Sequence, residues 1–228
     1  MKKYEVFLFD ADDTLYDFDM AEANALKTVF VDCGFDYAES ILTRYREINE
    51  PLWEDLARGE VSKEDLQTLR FAHLFACIDI DYDVVEFNRR YLAELGKGTF
   101  LIEGAFEICR EIVSHGKAIY IVTNGILATQ EARIKHSLIK EYISDFFVSE
   151  FIGYQKPDME YFKYVFSHIQ KVSKDKILII GDSLTADIQG GRNAGIDSCW
   201  FNESGKESHS VILSTYQIQK LSQIKEFI

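Results

Sequence analysis

Three aspartates lie within four positions near the start of the sequence, and they directly follow an apolar run. The run Val6–Phe9 is rich in β-branched and aromatic residues and predicts a buried strand, after which come Asp10, Asp12 and Asp13. Carboxylates this close repel one another, so their approach is tolerated only if a cation lies among them or one of them carries a proton. The cluster therefore indicates a site that binds a cation or holds a proton, or else a solvated acidic turn.

Polar residues also follow three later apolar runs of the chain. They are Thr123, Asn124 and Gly125 after the run 118–122, Lys156 and Pro157 beyond the run 146–148, and Gly181, Asp182 and Ser183 after the run 177–180. In a parallel α/β sheet, ligands bind at the carboxyl ends of the strands. We therefore expect these polar groups to converge with the three aspartates on one edge of a sheet.

The fold class follows from the alternation of helices and short apolar strands after residue 103. The predicted strands here are 118–122, 146–148, 177–180 and 198–201, and the predicted helices lie near 106–113, 128–136, 159–170 and 186–193. This pattern predicts an α/β fold with a Rossmann-like parallel sheet and helices on both faces. Residues 207–228 are less well determined and are expected to end in a helix carrying Leu221, Ile224 and Phe227, packed on the sheet.

A long stretch after the first strand has helical periodicity and no predicted strand. Its helices are expected around 26–33, 41–57, 66–73 and 84–95, and Ser62 with Asp65 predicts the start of the third. Because this stretch has no strand to contribute to a sheet, we interpret it as an inserted all-helical domain. The predicted domains are thus a core of residues 1–16 and 97–228 and an insertion of residues 17–96.

Composition excludes several classes of protein. The 228 residues are 47% hydrophobic, which is ample for a core, and the formal net charge of −13 argues against binding a nucleic-acid polymer through a broad basic surface. No apolar run reaches about 18 residues, so we expect a soluble cytoplasmic protein that does not bind membranes. The cysteines are expected to be small core residues in a reducing compartment; they are Cys33, Cys77, Cys109 and Cys199.

The four groups of polar residues resemble the four ordered motifs of the haloacid dehalogenase superfamily. The matching residues are Asp10-x-Asp12-x-Thr14, Thr123-Asn124-Gly125, Lys156-Pro157 and Gly181-Asp182-x4-Asp187. The helical insertion resembles the C1-type cap of that superfamily, which closes over the site. The residues in and after these motifs are most similar to those of the pyrimidine 5′-nucleotidase group. They include Gln130 and Arg133 after the second motif and Asn193-Ala194-Gly195-Ile196 after the fourth.

The resemblance implies different roles for the three aspartates. Asp10 matches the nucleophile, whose carboxylate attacks phosphorus and becomes an aspartyl-phosphate; the alternative is a metal ligand only. Asp12 lies two residues on, so an extended chain turns both side chains to the same side, and its implied role is general acid and then general base. Asp13 matches no role in the family, and turn or helix-start chemistry is the better account.

The resemblance also implies a divalent cation, Mg²⁺, which suits a site of carboxylates, a backbone carbonyl and phosphate oxygen. Its implied ligands are the side chains of Asp10 and Asp182 and the main-chain carbonyl of Asp12. Asp187 is expected to support the metal or Lys156, unless it is only a helix-start residue.

The implied phosphate-binding residues are Thr123, Asn124 and Lys156. The loop offers a hydroxyl and backbone N–H groups to phosphate oxygens, and the lysine offers a compact positive charge that offsets the carboxylates. Arg70 and His73 of the insertion are candidates for substrate specificity, with surface or core packing as the alternative.

The function implied by these motifs is a Mg²⁺-dependent phosphatase acting on a small phosphorylated metabolite, specifically pyrimidine nucleoside monophosphates. A sugar-phosphate phosphatase or a hexose-phosphate mutase of the same superfamily would retain both aspartates. A dehalogenase is disfavoured, because that branch lacks the second aspartate at the position of Asp12. A non-catalytic regulatory protein is also disfavoured, because it has no evident need for both Asp10 and Asp12.

Overall fold

The computed structural model describes residues 2–205 and 211–228, and its central feature is a six-stranded sheet. All strand pairings are parallel, and the order across the sheet is β3-β2-β1-β4-β5-β6. The strands are β1 (Val6–Phe9), β2 (Ala118–Thr123), β3 (Asp145–Val148), β4 (Ile177–Gly181), β5 (Asp197–Phe201) and β6 (Tyr216–Ile218). The predicted α/β fold with a parallel sheet is confirmed.

Helices fill most of the sequence between the strands. They are α1 (Phe18–Asp32), α2 (Glu39–Arg58), α3 (Lys63–Ile78), α4 (Val84–Leu95), α5 (Ala105–Ser114), α6 (Leu127–His136), α7 (Ser149–Ile152), α8 (Met159–His168) and α9 (Gln189–Ala194). Short 3₁₀ segments cover Lys140–Tyr142, Lys174–Lys176 and Leu221–Phe227, and one π-helical turn covers Leu184–Ile188.

The strand residues alternate between two apolar layers, as the period of two in a strand requires. Phe7 and Phe9 of β1 pack in one layer with α5 and the C-terminal 3₁₀ segment. Val6 and Leu8 pack in the other layer with α8 and α9. Helices therefore cover both faces of the sheet, and β1 in the middle is completely buried.

The chain divides into two compact units, one of Met1–Asp19 with Thr99–Ile228 and one of Met20–Gly98. The first contains the sheet and is called the α/β unit below; the second is called the helical unit. Aromatic side chains form much of the core of the helical unit: the ring of Phe71 lies 4.9 Å from that of Phe87 and 5.1 Å from that of Tyr91. The helix start predicted at Ser62 is present, because the Ser62 hydroxyl accepts a hydrogen bond from the amide of Asp65.

Some details differ from the sequence-based predictions. Strand β6 was not predicted, and the C-terminal helix is a 3₁₀ segment, although Leu221, Ile224 and Phe227 do pack on the sheet as expected. Residues 207–210 of the C-terminal prediction lie outside the described residues. Cys77 is exposed on α3, so its assignment to the core is wrong, and Cys33 is only partly buried, whereas Cys109 and Cys199 are buried. No helix in the described parts of the chain is long and apolar enough to cross a membrane.

Candidate active site

The polar residues of the four motifs meet where the central strands of the sheet end. Strand β1 lies between β2 and β4, with Phe9 opposite Ile121 on one side and Ile180 on the other. Asp10 follows directly and donates its amide hydrogen to the Ile180 carbonyl at 2.9 Å. The structure therefore brings together Asp10, the loop after β2 and the loop after β4, as expected at the carboxyl edge of a parallel sheet.

Lys156 provides a buried positive charge at this edge. Its ammonium donates to Asp10 Oδ1 at 2.6 Å, to Asp187 Oδ1 at 2.6 Å and to the Val122 carbonyl at 2.7 Å. Burial pulls the pKa of the Lys156 ammonium down, but the carboxylates of Asp10 and Asp187 outweigh burial and raise the pKa above its ordinary value. The lysine is therefore charged and uses all three of its hydrogen-bond donors.

Asp187 joins Lys156 to the loop after β4. It lies in the π-helical turn and is completely buried, and its second oxygen, Oδ2, accepts from the Ser183 amide at 3.1 Å. The neighbouring glycine makes this possible, because a Cβ at Gly181 would lie 2.1 Å from Asp187 Oδ2. Ser183, not Asp187, caps the turn, since its hydroxyl accepts from the Ala186 amide. Asp187 is thus more than a helix-start residue.

The cluster holds more negative than positive charge, and this excess suits a cation. Asp10, Asp182 and Asp187 each offer a carboxylate oxygen, and these three oxygens lie within 4.8 Å of one another. Burial and the nearby Asp187 raise the pKa of Asp182 to about 7, and burial raises the pKa of Asp10 well above its ordinary value against the opposing charge of Lys156. A hard divalent cation would stabilise Asp10 and Asp182 as carboxylates, so the donor set fits one.

Two residues that were not assigned roles hold Asp182 in place. The Thr14 hydroxyl accepts from the Asp182 amide at 3.2 Å and donates to Asp182 Oδ1 at 3.4 Å. The indole N–H of Trp200, on β5, donates to the Asp182 carbonyl at 2.8 Å. Asp182 is therefore fixed both by the strand that follows it and by the turn after β1.

The carboxylate of Asp12 has different neighbours from that of Asp10. Gln130 Nε2 donates to Asp12 Oδ2 at 2.7 Å, and Arg133 Nη1 donates to Asp12 Oδ1. Both partners lie on α6 and are buried, with Gln130 2% and Arg133 0% exposed. The Arg133 guanidinium also lies over the ring of Tyr16 at 5.4 Å. Each oxygen of Asp12 is thus bonded to a donor of its own on α6.

The loop after β2 is fixed to the segment that carries Lys156. The Asn124 side chain accepts from the Lys156 amide at 2.8 Å and donates to the Lys156 carbonyl at 2.9 Å. The Thr123 hydroxyl accepts from the Gly125 amide at 3.0 Å. The described contacts of Asn124 therefore position the lysine, and the phosphate-binding roles of Thr123, Asn124 and Lys156 stay predictions.

The remaining residues singled out from the sequence are Asp13, in the turn after β1, and Arg70 and His73, in the helical unit. Asp13 has a left-handed backbone with φ of 54°, and its carboxylate accepts from the amide of Phe18, the first residue of α1. This is the turn chemistry expected for it. Arg70 is buried in the helical unit, where it donates to the Tyr45 hydroxyl and to the side-chain oxygen Oδ1 of Asn88. His73 is exposed on α3.

Gln130, Arg133, Thr14 and Trp200 received no role from the sequence. The sequence shows only that Gln130 and Arg133 are three residues apart, which places them on the same face of a helix. Their partner Asp12 is 118 and 121 residues away, so the pairing depends on tertiary structure.

Comparison with known proteins places the chain in a family. The model of haloacid dehalogenase-like hydrolases matches residues 4–195. HAD-hydrolase YfnB of Bacillus subtilis is 40% identical over 98% of this chain and 95% of its own length. Two pyrimidine 5′-nucleotidases also match: PynA of Streptococcus pneumoniae is 37% identical over 94% of this chain and 91% of its own, and YjjG of Escherichia coli is 27% identical over 99% and 98%.

A solved structure agrees with the sequence comparison. A crystal structure of YfnB bound to magnesium, for which interdomain movement is described, matches with a TM-score of 0.92 at 39% identity and covers 99% of this chain and 98% of that one. The chain therefore belongs to the haloacid dehalogenase-like hydrolases. It is an enzyme of this class, as the four motifs indicate.

Proposed function

We propose that this hydrolase is a Mg²⁺-dependent phosphatase that cleaves small phosphate monoesters through an aspartyl-phosphate on Asp10. The observation that supports it is the arrangement of two aspartates, two residues apart, in different surroundings. Asp10 lies beside Lys156 and two further carboxylates, whereas Asp12 is bound by Gln130 and Arg133. Carboxyl groups in distinct environments suit distinct roles in one reaction.

In the proposed reaction, a carboxylate oxygen of Asp10 attacks phosphorus, and the bond from phosphorus to the leaving oxygen breaks. Asp12 donates a proton to that oxygen as it departs and then takes a proton from the water that cleaves the aspartyl-phosphate. Lys156 holds Asp10 in place and supplies positive charge at the reacting centre. The transition state of phosphoryl transfer is stabilised mainly by positioning and charge, and the cluster provides both.

The residues proposed to hold the metal are Asp10 and Asp182 through their side chains and Asp12 through its carbonyl, with Asp187 in support. Mg²⁺, when bound, supplies positive charge that offsets the phosphate and these carboxylates. The acidic cluster is consistent with this assignment, because its three carboxylate oxygens lie within 4.8 Å of one another and have Lys156 as a cationic neighbour.

The proposed substrates are pyrimidine nucleoside 5′-monophosphates. Two relatives at 37% and 27% identity carry the name pyrimidine 5′-nucleotidase and match nearly the whole chain. The helical unit is proposed to act as the cap and to contact the part of the substrate beyond the phosphate. Arg70 and His73 of α3 are the candidates for this contact. The alternative is a sugar-phosphate phosphatase or hexose-phosphate mutase, which would use the same two aspartates.

A panel of phosphate monoesters tests the proposal directly. Purified protein with Mg²⁺ should release inorganic phosphate from an aryl phosphate and from pyrimidine nucleoside monophosphates, faster than from purine nucleotides or sugar phosphates, and EDTA should abolish the release. Isomerised sugar phosphate without phosphate release would show a mutase instead. No reaction with any phosphate monoester would contradict the proposal.

A further inference from the structure

We propose that Gln130 and Arg133 are positioning residues that hold the carboxyl group of Asp12 where it transfers a proton to the leaving oxygen. This inference rests on the proposed phosphatase function and adds to it two residues for which neither the motifs nor the comparisons give a role. Each residue bonds to a different oxygen of the carboxyl group: Arg133 donates to Asp12 Oδ1, and Gln130 donates to Asp12 Oδ2. Two donors on two oxygens fix both the position and the rotation of a carboxyl group.

The position of Arg133 argues against a purely structural role. Its side chain is completely buried, yet its Nε and Nη2 are without a hydrogen-bond partner among residues 2–205 and 211–228. The rings of Tyr16 and Phe18 lie 5.4 and 5.9 Å from the guanidinium and provide its remaining described support. Buried polar atoms without partners lower stability, so an apolar residue would serve packing better at this position. The arginine is accounted for by its bond to Asp12.

Gln130 depends on the loop after β2 to reach Asp12. A Cβ at Gly125 would lie 2.4 Å from Gln130 Nε2 and 3.0 Å from its Cγ, so the glycine leaves the space that the glutamine crosses. Gln130 Oε1 is buried and has no partner within the described part of the chain. The hydrogen bond from Nε2 to Asp12 Oδ2 is therefore the described polar contact that holds the end of this side chain.

Leaving-group dependence is the measurement that separates positioning of the acid from general structural damage. A poor leaving group, the 5′ alkoxide of uridine 5′-monophosphate, needs a proton as it departs, whereas the nitrophenolate of p-nitrophenyl phosphate does not. The quantity to compare is kcat/KM, because it covers the steps up to departure of the alcohol. Asp12→Asn gives the reference for complete loss of the acid.

Gln130→Met and Arg133→Met remove the two donors while keeping an unbranched side chain. We expect kcat/KM for uridine 5′-monophosphate to fall about tenfold or more beyond the fall for p-nitrophenyl phosphate, which is part of the ~10²–10⁴-fold that a general acid contributes. Arg133→Lys keeps the positive charge and should recover part of this difference. Lys135→Met removes a cation from the exposed side of the same helix and should leave the ratio of the two kcat/KM values unchanged.

Thermal unfolding of each variant identifies any that fail to fold. Gln130 and Arg133 are tested independently, so one folded variant is enough to test the inference. If both variants lose the same factor on both substrates, Gln130 and Arg133 have only a structural role and this inference is wrong, while the proposed function stands. If the unsubstituted protein hydrolyses neither substrate, the proposed function itself is wrong and this inference falls with it.

Discussion

The α/β unit and the helical unit each bury charged side chains, but they surround them differently. At the edge of the sheet, Lys156 contacts the carboxylates of Asp10 and Asp187, and a carboxylate oxygen of Asp182 lies within 4.8 Å of an oxygen of each of them. In the helical unit, Arg70 donates to a tyrosine hydroxyl and to the side-chain amide oxygen of an asparagine, and it lies over the rings of Phe71 and Tyr91.

This difference separates buried charged groups of a functional site from buried charged groups that stabilise the fold. Crowded carboxylates with raised pKa values are costly to the fold unless a ligand or a metal compensates them, and such groups are typical of functional sites. The Arg70 guanidinium has neutral acceptors and aromatic rings as neighbours, which compensate part of its charge, while its Nε has no hydrogen-bond partner within the described residues. We therefore expect substitutions at the sheet edge to affect activity most, and substitution of Arg70 to affect mainly stability.

The largest effect is expected for Asp10→Asn. The amide keeps the size of the side chain but cannot act as the nucleophile, so phosphate release should fall by at least about 10³-fold. Asp13→Asn is the matched control, because Asp13 bonds to the start of α1 and an asparagine oxygen can accept the same hydrogen bond. Phosphate-release assays on both variants, with circular dichroism to verify folding, make the measurement. Loss of activity in Asp13→Asn alone would contradict the assignment.

The next largest effect is expected on stability, for Lys156→Met. Removing one member of a buried ion pair leaves Asp10 and Asp187 facing each other without their cation, at a cost of about 3–5 kcal/mol in the free energy of unfolding. Lys163→Met, on the exposed side of α8, breaks a surface pair with Glu160 and should change the free energy of unfolding by less than about 1 kcal/mol. Urea unfolding without metal measures both, and equal losses in the two variants would argue against the central role of Lys156.

A smaller loss is expected for Arg70→Met. Tyr45 and Asn88 would lose their donor, but no carboxylate among the described contacts of Arg70 would be left uncompensated, so the cost should be about 1–3 kcal/mol. Arg89→Met removes an exposed arginine of α4 and should cost less than about 0.5 kcal/mol. Urea unfolding and KM for uridine 5′-monophosphate should be measured together. Unchanged stability with a raised KM would assign Arg70 to the substrate instead.

The smallest expected effect is the dependence of metal stabilisation on pH. Asp182 has a pKa of about 7 in the folded chain, and Asp10 one well above its ordinary value, while both ionise near ~4 when unfolded. A carboxyl whose pKa rises on folding stabilises the fold at low pH, and this contribution is lost as the pH rises through the folded-state pKa.

In EDTA, the Tm should therefore fall between about pH 5 and pH 8 as these carboxyl groups ionise without a bound metal ion. Adding Mg²⁺ should raise the Tm more at pH 8 than at pH 5, because ionised carboxylates bind the cation and protons compete with it. Thermal unfolding at the two pH values tests this. An equal effect of Mg²⁺ at both would mean that the acidic cluster does not bind the metal.

Much of the fold and of the site composition could be predicted from the sequence. Apolar runs such as Val6–Phe9 and Ile177–Gly181 form buried parallel strands, and the rule that ligands bind at strand ends correctly brought Asp10 and Asp182 together. Strand β6 was not predicted, because three residues are too short to show a period and pair only with an existing edge.

The partners of the site residues could not be predicted, because they depend on tertiary structure. The side chain of Asn124 bonds to the backbone of Lys156, 32 residues away, and Arg133 reaches Asp12 across 121 residues. Residue type and motif position indicate what chemistry a side chain can do. The partner to which each side chain bonds depends on how the helices and loops pack around the sheet.

The account depends most on covalent chemistry at Asp10, and one measurement addresses that most directly. The Mg²⁺-supplemented protein is mixed with p-nitrophenyl phosphate, quenched in acid during turnover, digested and analysed by mass spectrometry. We predict one phosphoryl group on the peptide that contains Asp10, absent when the same experiment is done with Asp10→Asn. Undiminished turnover by the Asp10→Asn protein, with no phosphoryl group on that peptide in the unsubstituted chain, would contradict the account.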